Sequence, residues 1–246
     1  MREPSTTELL DAWERGLSLP EDERALALLS AGDPESSVDE SASLPLGERD
    51  ARLLALRRWA FGPRMDGVAR CPSCGADLEL SVDADDIRAP AGSRNEAAAE
   101  LSLRVEDYEV RFRLPTTLDA HEAAGSETLA DAQRVLLERC VTGSTRNGSP
   151  VEPAALPERV VERIEGAMAE HDPQADVALA LSCSECGHEW EAVLDVGRFL
   201  WTEVDHWARR VLVDVATLAS AFGWTETQVL RLSPLRREAY LGLVGR

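Results

Sequence analysis

Two stretches of the chain carry residue types that do chemistry at fixed spacing. Cys71 and Cys74, followed by Gly75, Leu78, Glu79, Val82 and Asp83, repeat as Cys183 and Cys186, followed by Gly187, Trp190, Glu191, Leu194 and Asp195. The shared template is Cys-x-x-Cys-Gly-x-x-apolar-Glu-x-x-apolar-Asp. A tight Cys-x-x-Cys turn presents two thiolates to one cation, and a glycine after the second cysteine permits the positive φ that such a turn needs. Two turns supply four sulfurs in a tetrahedron, the preference of zinc. The chemistry read from Cys71, Cys74, Cys183 and Cys186 is therefore one structural Zn2+, with no open position for substrate.

The elements around each pair fit that reading. Val177, Leu179 and Leu181 alternate before the second pair, and Leu78, Leu80 and Val82 after the first, so each turn joins two strands as in a zinc ribbon. The departure is the gap, because 108 residues, 75 to 182, separate the pairs. Closure entropy grows only logarithmically with loop length, adding about 1–2 kcal/mol, against about 10–16 kcal/mol for a structural zinc. The ribbon can thus be split around a subdomain. The alternative is thiol redox chemistry at each pair, but redox thiols are activated by cations or a helix N-terminus, and Asp77, Glu79, Glu185 and Glu189 surround these. His188 could replace a ligand, although four sulfurs make it a surface residue in the simpler reading.

Composition narrows the function classes. The chain has 246 residues and a formal charge of −19, which argues against broad contact with nucleic acid or an anionic membrane. Four of five cysteines lie in the pairs, which fits a reducing compartment, and the fifth, Cys140, reads as a small buried apolar side chain. No membrane span or signal-peptide core is visible, so a cytoplasmic location is expected. His121, His171, His188 and His206 are scattered and no glycine-rich phosphate loop occurs, so no enzyme is expected.

Residues 1–45 read as N-terminal helices and an acidic linker: one helix around Leu9, Leu10, Trp13 and Leu17, a second through Leu26, Leu28 and Leu29, then a mobile loop from Ala31 to Ser43. A helix with Leu53, Leu54, Leu56 and Trp59 stops at Gly62-Pro63, its Arg49, Arg52, Arg57 and Arg58 forming a solvated, salt-bridged face. Asp83, Asp85 and Asp86 lack the glycine and terminal glutamate of a calcium loop. Residues 46–197 form the split ribbon, with an inserted subdomain over 90–176. Inside it the sequence predicts a β-hairpin over Leu101–Leu114, helices from Leu118 and from a Ser126 cap with Leu129, Ala132, Leu136 and Cys140 inward, a flexible loop from Gly143 to Pro150, and a helix from Pro157 to His171. Residues 198–246 form a three-helix C-terminal unit: an apolar stripe from Leu200 to Phe222 ended by Gly223, a short helix capped by Thr225 and Gln228, and a third opened by Ser233-Pro234. A helix-turn-helix reading is weakened by only seven Arg against five acids from Arg198 onward.

Several stretches together resemble a family: Gly47-Glu48-Arg49-Asp50 to Phe61-Gly62, the cysteine turn after it, Val110 to Thr116, and the tail Phe222-Gly223-Trp224 to Tyr240. They are similar to the baseplate hub assembly chaperones of contractile-tailed phages of the T-even type and of related contractile injection systems. The resemblance spans most of the chain after residue 45, and the tail is its most specific part. It implies a non-enzymatic assembly factor or minor component of a baseplate hub, with hub or spike proteins as partners and neither nucleic acid nor membrane. The tail adds a possible interface in Trp224, Leu235, Arg236, Arg237 and Tyr240, since exposed aromatics with arginine anchor protein contacts; the competing reading closes the tail's own core with Trp224 and Tyr240. The expected fold is α+β: a split zinc ribbon with a helical and β-hairpin insertion, N-terminal helices and a C-terminal helical unit. A zinc-ribbon regulator contacting nucleic acid or the transcription machinery, and a thiol redox protein, are the alternatives.

Overall fold

The computed structural model describes residues 1–21, 23–88 and 100–244, and these form two compact units, residues 35–196 and residues 1–34 with 197–246. The insertion boundary expected at residue 90 lies outside the described residues. Helix and strand are mixed, as an α+β chain requires.

In residues 1–34 and 197–246, α1 (Thr6–Gly16) and α2 (Arg24–Gly32) share a unit with α8 (Val196–Phe222), α9 (Glu226–Leu230) and α10 (Pro234–Val244). Leu10, Ala208 and Val211 are buried together, with Trp13, Trp207, Val215 and Leu230 around them. Trp13 packs here, and its Nε1 donates to Asp205 Oδ1 at 2.9 Å. A Cβ on Gly16 would overlap the Trp201 ring, so only glycine lets α1 approach α8 so closely. The Arg24 guanidinium lies over the same ring at 5.1 Å.

In residues 35–196, α3 (Val38–Ala42) occupies part of the stretch expected to be a loop. Ser37 Oγ accepts from Glu40 N–H at 3.1 Å and Glu40 Oε2 accepts from Ser37 N–H at 2.7 Å. This Ser-x-x-Glu box outweighs the acidic composition that suggested a loop. Next, α4 (Leu46–Phe61) buries Leu53, Leu54 and Leu56. Asp172 Oδ2 accepts from Gly47 N–H at 2.9 Å, and a Cβ on Gly47 would overlap that carboxylate. Of the four arginines expected on a solvated face, three sit beside acids, Arg49 with Asp50, Arg52 with Glu48 and Arg58 with Asp85. Arg57 instead is buried and donates to Gly62 O and Arg64 O, fixing the turn into the first strand.

Two separate hairpins follow the template. β1 (Arg64–Arg70) pairs antiparallel with β2 (Asp77–Asp83), and near the end of the unit β7 (Ala178–Ser182) pairs with β8 (Glu189–Val193). Between them a four-stranded antiparallel sheet runs in the order β3 (Leu101–Val105), β4 (Tyr108–Phe112), β5 (Val141–Arg146), β6 (Ser149–Pro150). Tyr108, Val110, Phe112 and Val141 pack with Leu156 and with Val160 and Ile164 of α7 (Glu158–His171), forming the insertion's core.

The stretch from Gly143 to Pro150 is thus a strand hairpin and not the expected flexible loop. Its polar residues resemble a loop, but Asn147 (φ 49°) and Gly148 (φ 82°) form the left-handed pair that closes a tight hairpin. The helix after α5 (Thr117–Ala124) also starts later than expected: α6 (Leu129–Cys140) is capped by Thr128, whose side chain accepts from Asp131 N–H, and not by Ser126. Leu129 is consequently 78% exposed at the first turn, while Cys140 is buried as expected.

One buried charge ties these helices to the sheet. The Asp119 side chain is fully buried and accepts from Arg113 Nη1 at 2.5 Å and Nη2 at 2.9 Å, from Arg139 Nε at 2.7 Å, and from Thr116 N–H and Oγ1 at 2.9 and 2.8 Å. Burial opposes ionisation, but Arg113, the Thr116 backbone, Arg139 and the Thr116 hydroxyl outweigh it and hold the carboxyl well below the usual range. A pKa depressed by folding contributes stability above the unfolded value of about 3.9 and loses it as pH falls toward the folded value. Asp119→Asn should cost on the order of 2–3 kcal/mol at pH 7, less than a fully enclosed pair because both arginine side chains remain 38% exposed. Urea titrations at pH 7 and pH 3 check this, with the gap between wild type and variant narrowing in acid.

Candidate metal centre

The two hairpins turn through their cysteine pairs in the same way. Arg70 faces Asp77 across the first turn and Ser182 faces Glu189 across the second, so each turn closes over six residues. Cys71 N–H donates to Ala76 O at 2.8 Å and Gly75 N–H to Cys71 O at 2.9 Å; Cys183 N–H donates to His188 O at 2.8 Å and Gly187 N–H to Cys183 O at 2.9 Å. Gly75 (φ 76°) and Gly187 (φ 70°) occupy the left-handed region, which explains the glycine after each second cysteine.

The sulfurs of Cys71, Cys74, Cys183 and Cys186 all lie within 4.8 Å of one another. Cys71 Sγ is 3.7 Å from Cys186 Sγ, and Cys74 Sγ is 3.6 Å from Cys183 Sγ. A tetrahedral ion with sulfurs at about 2.3 Å has sulfur–sulfur edges of about 3.8 Å, so the cluster has the size of a four-thiolate site and could hold a metal ion. Each hairpin gives one buried sulfur, Cys71 or Cys183, and one exposed, Cys74 or Cys186. Among the described residues this is the one grouping of three or more His, Cys, Asp or Glu side chains near enough to share an ion.

Two of the four thiols are pushed in opposite directions. Burial opposes ionisation of Cys71, yet backbone N–H groups of Cys74 and Ser73 and the thiols of Cys74 and Cys183 bring it down to about 6. For Cys74, the Ala76 N–H favours the thiolate, but the sulfurs of Cys186, Cys183 and Cys71, with burial, push it up to about 12. The thiolate is thus favoured at Cys71 and opposed at Cys74 by the neighbouring sulfurs. A dication at the centre would remove that repulsion.

His188 is exposed and stacks on Trp190 with ring centroids 6.0 Å apart, outside the sulfur cluster. Asp85 is taken up by Arg58 at 2.6 Å.

A family model described as T4 bacteriophage base plate protein matches residues 33–201. The chain belongs to that family. The match covers well over half of the chain and takes in both cysteine pairs and all of the 35–196 unit. No curated protein and no solved structure matches it. Among the described residues, no helix is long and apolar enough to cross a membrane.

The tail, the stretch in which the resemblance looked most specific, lies beyond the matched residues. Trp224 and Tyr240 are half-buried against each other edge to face at 4.8 Å, and Phe222 stacks on Trp224 at 4.8 Å. Leu235 is 77% exposed, Arg236 is exposed and Arg237 is buried at 6%. Phe222 completes the aromatic trio at 41% exposure, although the four-three spacing of α8 assigns it to the inner stripe. A stripe that outruns its packing partner was the missed signal.

Cys140 provides an internal control. Burial pushes its thiol up to about 11, with Asp119 adding to the rise against Arg113 and Arg139. With iodoacetamide at pH 8, intact-mass measurement should show Cys140 unlabelled until the chain unfolds, and the four clustered cysteines protected until a chelator is added.

Proposed function

We propose that this chain is a non-enzymatic assembly factor or minor component of a contractile-tail baseplate hub, its 35–196 unit stapled by one structural Zn2+ in a split zinc ribbon. The observation that carries this reading is the coincidence of the family match, residues 33–201, with the compact unit that contains the four-sulfur cluster. Four thiolates fill a tetrahedron and leave no position for substrate, which supports a structural metal. Its partners are hub or spike proteins, met in the cytoplasm during assembly. The formal charge of −19 makes a nucleic-acid regulator the weaker alternative, and four sulfurs gathered about one point favour a shared ion over two redox dithiols.

Tagged chain, purified from its producing cells with mass spectrometry of the eluate and of isolated sheathed particles, tests the role. Hub or spike proteins should be enriched in the eluate; their absence there, together with absence of the chain from particles, contradicts the proposal. The Cys71→Ser/Cys183→Ser double variant should lose the metal, melt at lower temperature and yield no assembled particles. Normal particles from a metal-free variant would refute the link between the staple and assembly.

A further inference from the structure

A groove of about 680 Å³ between α8 and α10 is lined by Trp207, Arg210, Val213, Asp214, Arg237 and Leu241, among others. Arg237 is the anomaly in it. Its side chain is only 7% exposed, its Nη1 is buried without a hydrogen-bond partner, and its nearest acid, Asp214 Oδ2, stands 3.8 Å from Nε. That separation is too long for a hydrogen bond, so the pair leaves donors of a buried guanidinium unspent. An unsatisfied buried cation is costly to a folded chain unless an acceptor arrives from outside.

We infer that this groove is a docking site for an acidic peptide segment of a partner protein, one of whose carboxylates completes Arg237. The guanidinium fork matches a carboxylate in a bidentate geometry. Arg210 is exposed on the same wall and adds positive charge, while Trp207, Val213 and Leu241 offer apolar surface for a neighbouring side chain. The groove also carries Arg209, held by Asp205, and the acids Asp214 and Glu238, so the cations without a hydrogen-bonded acid, Arg210 and Arg237, are what an anionic segment would meet in an otherwise acidic chain. The partner being a baseplate protein rests on the reading above, whereas the chemistry of the groove does not.

The test uses the full chain and two sets of 15-residue peptides: random acidic sequences with apolar residues, and sequences tiling the hub and spike proteins made in the same cells. Each is also made with Asp and Glu replaced by Asn and Gln. Wild type should bind a subset of the acidic peptides, and both the amide versions and Arg237→Met should weaken binding at least about tenfold, the effect of one charged hydrogen bond. Arg237→Lys should recover part of the affinity, and Arg237→Met should melt no lower than wild type because it removes a buried guanidinium whose Nη1 has no hydrogen-bond partner. Equal binding of the amide peptides, equal binding by Arg237→Met, or no binding by wild type would overturn the inference. If random acidic peptides bind through Arg237 but no tiling peptide does, the groove stands and the baseplate partnership falls. If tiling peptides bind wild type and Arg237→Met alike, the partnership stands and the groove falls.

Discussion

The two cysteine hairpins of the 35–196 unit depend on bringing four sulfurs, separated as two pairs by 108 residues of chain, to within 4.8 Å of one another. A hydrophobic core does not do this for the hairpins. Of the strand residues in β1, β2, β7 and β8 only Met65 is buried, and Val68 and Val193 face solvent at 67% and 73% exposure. Two-stranded hairpins with so little buried apolar surface are marginal on their own. The cluster is the constraint that makes two weak hairpins one centre.

The inserted segment is built differently. Its sheet and α7 bury a contiguous apolar core, and the doubly paired Asp119 ties α5 and the end of α6 to the chain leaving β4. Folding the insertion brings the two hairpins into range and lowers the entropy of closing the metal site. A metal ion held by the four sulfurs would in turn fix the ends of the insertion.

Much of this was legible in the sequence because it was carried by local rules. The repeated Cys-x-x-Cys-Gly signature fixed both turns, and alternation around Leu78 to Val82 and Val177 to Leu181 marked the strands beside them. The stripe of α8 and the Thr225–Gln228 box gave the C-terminal helices. The misses came from composition overruling local chemistry. Ser37-x-x-Glu40 and Asn147-Gly148 each specify a structure, but acidic and polar neighbours disguised them as loops. The sharing of one unit by α1, α2 and α8 was not legible, because an amphipathic stripe says that a helix is covered and not by what. Arg237 was hidden for the same reason. An arginine in a polar tail reads as exposed, and only the packing of α10 on α8 shows it to be buried.

The most direct measurement is X-ray absorption at the metal edge of the purified full-length chain, with metal content determined on the same sample. One zinc per chain with four sulfur neighbours at about 2.3 Å is the expected result. A chain that purifies folded without metal, or a zinc with oxygen or nitrogen in place of the sulfurs, would contradict the four-thiolate staple at the centre of this account.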